Sequence, residues 1–196
     1  MNKLASLLLA AVLLTACSKK EADPQPAPAP AVRADITRTF TYPGNSGFDT
    51  ALTYTQKTLQ IRGQLDATKL LLFFDAPEGS DNLAFTIPAV ALAAGLPGTY
   101  ALRDRQNSPG KVVETDYTYK IVNTPSVSSF HLYASARNNM TGRVIITAYD
   151  AQRRLLNGSF EMTMDGVSDP REDFPSPMPM PCNVKVTGSF ENLKLE

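Results

Sequence analysis

From about Ala34 onward, apolar residues recur at every second position in short runs, and that alternation confines the chain to a sheet fold. Leu59, Ile61 and Leu65 alternate with polar residues, as do Leu83, Phe85 and Ile87, and then Tyr117, Tyr119 and Ile121. Val144, Ile146 and Ala148 follow, then Phe160, Met162 and Met164, then Val184, Val186 and Phe190. A period of two places one set of side chains on a core and the other in water. Leu70 to Phe74 is apolar throughout and suits a buried strand. The runs are separated by turn chemistry at Asn45-Ser46-Gly47, Pro77-Glu78-Gly79, Pro97-Gly98, Ser108-Pro109-Gly110, Asn138-Asn139 and Asp150-Ala151-Gln152. About nine or ten strands at this spacing predict an all-β domain, an antiparallel β-sandwich with an open β-barrel as the alternative. Ala89 to Ala94, confined by Pro88 and Gly95, is the one stretch suited to a helical turn.

Two details sharpen the prediction for the last strands. Val184, Val186 and Phe190 occupy even positions but Leu193 and Leu195 odd ones, so a bulge near Glu191-Asn192 is needed to keep both sets inward. Gly158-Ser159-Phe160-Glu161 recurs as Gly188-Ser189-Phe190-Glu191, which reads as two strands of one sheet, each with glycine beside a core phenylalanine at a close approach or a bend.

The first residues follow a different rule. Lys3 precedes an apolar run, Leu4 to Leu14, that suits an export signal and falls short of the roughly 20 residues a membrane-spanning helix needs. The run ends Leu14-Thr15-Ala16-Cys17, which resembles the lipobox of bacterial lipoproteins. The resemblance implies that Cys17 is lipidated and becomes the first residue of the mature chain, anchored to a membrane without spanning it. With Cys17 so used, Cys182 has no partner for a disulfide within the chain. The division expected is a signal peptide at 1–16, a lipidated tether at 17–33 and one β domain at 34–196. In the tether, Pro24, Pro26, Pro28 and Pro30 alternate with other residues and favour polyproline II, with a reach on the order of 50 Å.

The C-terminal strands carry a second resemblance. Gly142-Arg143-Val144-Ile145-Ile146-Thr147-Ala148-Tyr149-Asp150, Leu156-Asn157-Gly158-Ser159-Phe160 and Val184-Lys185-Val186-Thr187-Gly188-Ser189-Phe190 resemble, in this order, a family of uncharacterised lipoproteins from the Bacteroidota. Phe130 to Ser135, Leu59 to Gly63 and Gly98 to Leu102 fit the same pattern. The resemblance implies a β-sandwich and a place in the cell envelope, with no catalytic residue to carry over. Ser18 after Cys17, where an aspartate retains some lipoproteins at the inner membrane, points by the same resemblance to the outer membrane.

Composition excludes several functions. Nineteen basic against nineteen acidic residues leave no electrostatic footprint for nucleic acid. The lone histidine, His131, sits in a strand between Phe130 and Leu132 and faces away from both, which argues against a base of a hydrolytic triad. No nucleophile elbow, phosphate-binding loop or dinucleotide fingerprint is present, so no catalytic residue and no cofactor are expected. A pair of close carboxylates in a cleft is the remaining route to a hydrolase.

The segment from Asp165 to Pro181 reads as a long acidic and proline-rich loop. Its acidic half could wrap calcium, although Arg171 opposes a cation. Met178, Met180 and Cys182, with Met162 and Met164 before them, are the candidate metal ligands, because alternating soft sulfurs on one side of an extended chain select Cu(I). The competing assignment is that these side chains fill the core. The expectation is a lipid-anchored, non-enzymatic binding module, with a glycan or an envelope protein as partner and Cu(I) handling as the alternative. Tyr100, Tyr117, Tyr119 and Tyr133 are the rings that could stack on a sugar where exposed, but most of them are expected in the core or in cross-strand packing.

Overall fold

The computed structural model describes residues 30–77, 80–104, 112–124, 127–171 and 180–196. Within them the chain forms eleven strands: β1 (Arg33–Thr41), β2 (Thr50–Thr55), β3 (Gln60–Leu65), β4 (Lys69–Asp75), β5 (Asp81–Pro88), β6 (Gly98–Ala101), β7 (Glu114–Thr124), β8 (Val127–Ala134), β9 (Thr141–Asp150), β10 (Leu155–Ser168) and β11 (Pro181–Lys194). They make two antiparallel sheets, one of six strands ordered β2-β1-β11-β10-β9-β6 and one of five ordered β3-β4-β5-β7-β8. The sheets pack as a sandwich, and the barrel alternative is set aside because the ladder does not close. One-turn 3-10 helices at Ser46–Phe48 and Ala89–Ala91 fall where the turn and helical signals predicted.

Burial follows the alternation. Leu83, Phe85 and Ile87 of β5 are buried between half-buried neighbours, and Val144 and Ile146 of β9 behave likewise. The apolar run of β4 splits by the same rule: Leu70, Leu72 and Phe74 have no exposure, while Leu71 and Phe73 are half-buried on the outer face. There Arg62 of β3 lays its guanidinium over the Phe73 ring at 4.7 Å. The centre of the core is aromatic, with Phe74 at 4.7 Å from Phe160 and 5.8 Å from Phe190 across the sheets. Each fully buried ring of this kind contributes roughly 1.5–3 kcal/mol.

The repeated tetrapeptide explains itself in the register. Ser159 pairs with Ser189, so Gly158 lies opposite Phe190 and Gly188 opposite Phe160. A Cβ on Gly158 would meet the Phe190 ring at 2.6 Å, and one on Gly188 would meet the Phe160 ring. Each ring therefore covers the glycine of the partner strand, a cross-strand arrangement that only a missing side chain allows. The predicted bulge is also present. Glu191 and Asn192 together oppose Asn157, Asn192 takes φ +56°, and its N–H donates to Asn157 Oδ1 at 2.7 Å. Phe190, Leu193 and Leu195 consequently all face the core.

Candidate functional site

Two charged residues interrupt the apolar series and lie between the sheets. Arg38 stands between Ile36 and Phe40 on the inward side of β1, and Asp81 heads the inward series of β5. They are 6% and 4% exposed. Arg38 Nε is 3.8 Å from Asp81 Oδ2, and the hydroxyls of Tyr54 and Tyr117 donate to Oδ2 and Oδ1 at 2.5 Å each. The guanidinium also lies over Phe40 at 4.3 Å and Tyr119 at 5.1 Å. Burial pushes the Asp81 carboxyl above the usual carboxylate range, against the pull of Arg38 and the two phenols. Burial and the neighbouring carboxylate likewise push Tyr54 up to about 12 and Tyr117 well above the ordinary phenol. Both carboxylate oxygens are thus taken by donors from the opposite and the same sheet. The group clamps β1 and β2 onto β5 and β7 rather than facing a cleft.

A second polar group closes the end of the sandwich where β10 meets β11. Asp169 is 4% exposed and pairs with Arg171, Nε to Oδ1, at 3.3 Å. Arg171 lays its guanidinium over the Tyr42 ring at 4.6 Å. Tyr133 donates to the Ser168 carbonyl at 2.8 Å. Burial raises the Tyr42 and Tyr133 hydroxyls, and Asp169 and Cys182 beside them add to the rise.

The segment read from sequence as a loop at 165–181 is shorter than expected. β10 continues to Ser168 and β11 begins at Pro181, with Val167 opposite Cys182 and Ser168 opposite Pro181. Asp165 and Gly166 form a bulge in this ladder, where Gly166 has φ +62° and its N–H donates to Asn183 Oδ1 at 2.9 Å. Asp169 is turned inward to Arg171, so one carboxylate of the acidic stretch that could have wrapped calcium serves an ion pair instead. Glu172 and Asp173 lie outside the described residues.

The candidate sulfur ligands divide similarly. Cys182, Met162 and Met164 are fully buried on the inward faces of β10 and β11, Met180 packs half-buried against the core, and Met178 lies outside the described residues, as does Cys17. The strand register sets Met162 opposite Val186 and Met164 opposite Val184, so these thioethers fill gaps between branched side chains. Among the described residues, no cluster of three or more His, Cys, Asp or Glu is placed to hold a metal ion.

His131 points inward from β8, half-buried, with its ring stacked 6.5 Å from Tyr133. The four tyrosines that could have stacked on a sugar face the interior too, in keeping with the expected core packing. Tyr100, Tyr117 and Tyr133 are buried, and Tyr119 packs edge-on to Phe40 at 5.4 Å.

Two accessible grooves lie at a sheet margin. An open groove of about 370 Å³ runs between β3 and the end of β11, with Leu59, Ile61 and Leu193 as its apolar floor and Gln56, Gln60 and Lys194 among its polar walls. A second of about 250 Å³ adjoins it through Arg62, Gly63 and Glu196. Val32, just before β1, reaches the same groove, and Ala31 is held there by Asn192 Nδ2 at 3.0 Å. Sequence reasoning missed this site because it depends on the ends of two strands from different sheets. Glu196 N–H donates to the Gly63 carbonyl, and Leu65 N–H to the Glu196 carbonyl, at 2.9 and 3.2 Å. Those bonds cover one half of the outer edge of β3. By alternation the N–H and C=O of Ile61 point the same way and face the groove. No protein-family model, curated protein or solved structure matches the chain.

Proposed function

We propose that the chain is a lipid-anchored cell-envelope protein, displayed from the outer membrane, whose sandwich is a non-enzymatic binding module. Its ligand is an extended segment of an envelope protein, laid along the uncovered half of the β3 edge. The observation that carries this reading is the groove beside β3. Its volume lies in the range of ligand sites, roughly 300–1,000 Å³, and its apolar floor with a few amide and charged walls has their composition. Main-chain groups of Ile61 supply affinity to any extended partner, and Leu59, Leu193 and Arg62 supply selectivity through its alternate side chains. The Leu14-Thr15-Ala16-Cys17 sequence supports the anchor.

Photo-crosslinking in intact cells tests the binding claim. A photoreactive residue at Gln60 or Arg62 is expected to trap a partner of discrete mass. The same residue at Lys185, on the outer face of the other sheet, is expected to trap none. Equal capture at all three positions, or none at the groove, contradicts the proposal.

A further inference from the structure

Pro88-Ala89-Val90-Ala91-Leu92-Ala93-Ala94-Gly95-Leu96-Pro97-Gly98, which leads from β5 to β6, is eleven residues without one charged or hydrogen-bonding side chain. A connection in contact with water is normally polar. Part of this one is covered: Ala91 and Leu92 pack half-buried against the core, and Leu96 is buried. The rest stands in the open. Val90 is 98% exposed, and the next most exposed large apolar side chain among the described residues, Phe130, is 60%. Ala93, Ala94, Gly95 and Pro97 are exposed as well.

The loop is held in shape by its own backbone. Ala89 N–H donates to the Thr68 carbonyl at 2.8 Å, Leu92 N–H to the Ala89 carbonyl at 3.2 Å and Leu96 N–H to the Ala93 carbonyl at 3.0 Å. The buried Tyr100 hydroxyl accepts from Ala93 N–H at 3.0 Å and donates to the Leu96 carbonyl at 2.6 Å. Pro88 and Pro97 have no N–H at all. Leu96 takes φ +77°, a region leucine rarely enters, and its buried side chain and the Tyr100 bond keep it there. Backbone groups satisfied within the loop are what a segment needs when its neighbour is hydrocarbon and not water.

We propose that this loop is a second membrane contact, with Val90 inserted among the lipid acyl chains next to the headgroups. The contact rests on the reading of Cys17 as a lipid anchor. On that reading the chain outside the described residues ends in the bilayer, and its reach, on the order of 50 Å, exceeds the roughly 40 Å width of a domain this size. The loop can therefore touch the surface that holds the anchor. Its side chains fit lipid better than a protein partner. A protein contact is built around aromatic or arginine anchors with polar groups at the rim, whereas Val90, Ala93, Ala94 and Pro97 are small, apolar and without a donor or acceptor. Phe130 and Leu132 differ in this respect, since they lie on a sheet face beside Lys120 and Thr118. One valine and a few alanines bind a bilayer weakly in free solution. The anchor raises the effective concentration to the point where weak contact suffices. The sandwich then lies on the membrane and does not swing freely on its tether.

The acylated full-length chain, reconstituted into phosphatidylcholine–phosphatidylglycerol vesicles, tests the contact. Val90→Cys and, as reference, Gln152→Cys in the exposed β9–β10 turn each receive an environment-sensitive fluorophore, while Cys182 is fully buried. The label at position 90 is expected to emit further to the blue and to be quenched by lipids spin-labelled on the acyl chain. The label at 152 is expected to do neither. The same label on Ala94→Cys is expected to shift in the parent background and to lose the shift when Val90→Asp is added. Val90 and Ala94 are exposed, so these changes leave the core intact. A chain that floats with the vesicles yet gives the same emission and quenching at 90 and 152 overturns the inference alone. A chain that does not float overturns the anchor and the inference with it. A photoreactive residue at Val90 in intact cells that traps a protein of discrete mass, and no lipid, also overturns it.

Discussion

Arg38 and Asp81 show how a core position can be charged without being a reaction centre. Removing one partner of a buried pair strands the other, at a cost of about 3–5 kcal/mol, whereas replacing both with apolar residues of similar size is close to neutral. Arg38→Met alone and Asp81→Asn alone are therefore expected to lower the urea midpoint sharply. Arg38→Met with Asp81→Leu is expected to recover only part of it, because the Tyr54 and Tyr117 hydroxyls lose their carboxylate acceptor. The phenols of the same group set an alkaline limit. Tyr54 rises from 10.0 in the unfolded chain to about 12 in the native one. A raised native pKa means stability that is complete below pH 10 and lost as pH climbs through the native value. Stability measured against pH should fall across that window, in step with tyrosinate absorbance, and Tyr54→Phe should make the fall shallower. None of this cluster was legible in the sequence. Arg38 interrupts the apolar alternation of β1, and Asp81 follows Gly79-Ser80 and so resembles one more turn residue. The positions i±2 were the available signal, since Ile36 and Phe40 bracket Arg38 as Leu83 follows Asp81.

At the scale of elements, the pairing of β10 with β11 is where sequence and structure agree most closely. The phase break between Phe190 and Leu193 demanded a bulge because period two cannot otherwise keep both inward. The repeated Gly-Ser-Phe-Glu, with two glycines each two residues before a core ring, pointed to a close approach or a bend, and the structure shows the close approach. Gly158→Ala is expected to destabilise by about 1–3 kcal/mol, the usual cost of overpacking. Phe190→Leu should not rescue it, because the added Cβ also meets the Ile145 carbonyl. Asn192 holds φ +56°, a region that glycine enters freely and alanine does not. Asn192→Ala should therefore cost more than Asn192→Gly in thermal unfolding. Two strands escaped the sequence reading for physical reasons. β1 hides its period behind Arg38, and β2 lies at the margin, where Leu52 stays 44% exposed despite its inward phase.

Over the described residues, the sheets use their inner faces for the core, and the proposed binding groove lies at a margin. The fold class was legible because alternation is a local property of the chain. The margins were not, because the groove joins β3 to the end of β11 across a separation of 134 positions, from Gln60 to Lys194. Anchoring at Cys17 would hold this sandwich on a tether reaching on the order of 50 Å from the membrane, with β1 starting at Arg33. Intact mass spectrometry of the protein extracted from membranes tests the anchored-module account most directly. The account predicts a mature chain that begins at Cys17 and carries acyl mass, and a Cys17→Ser variant that carries none. An unacylated chain that begins elsewhere and fractionates with soluble protein would contradict it.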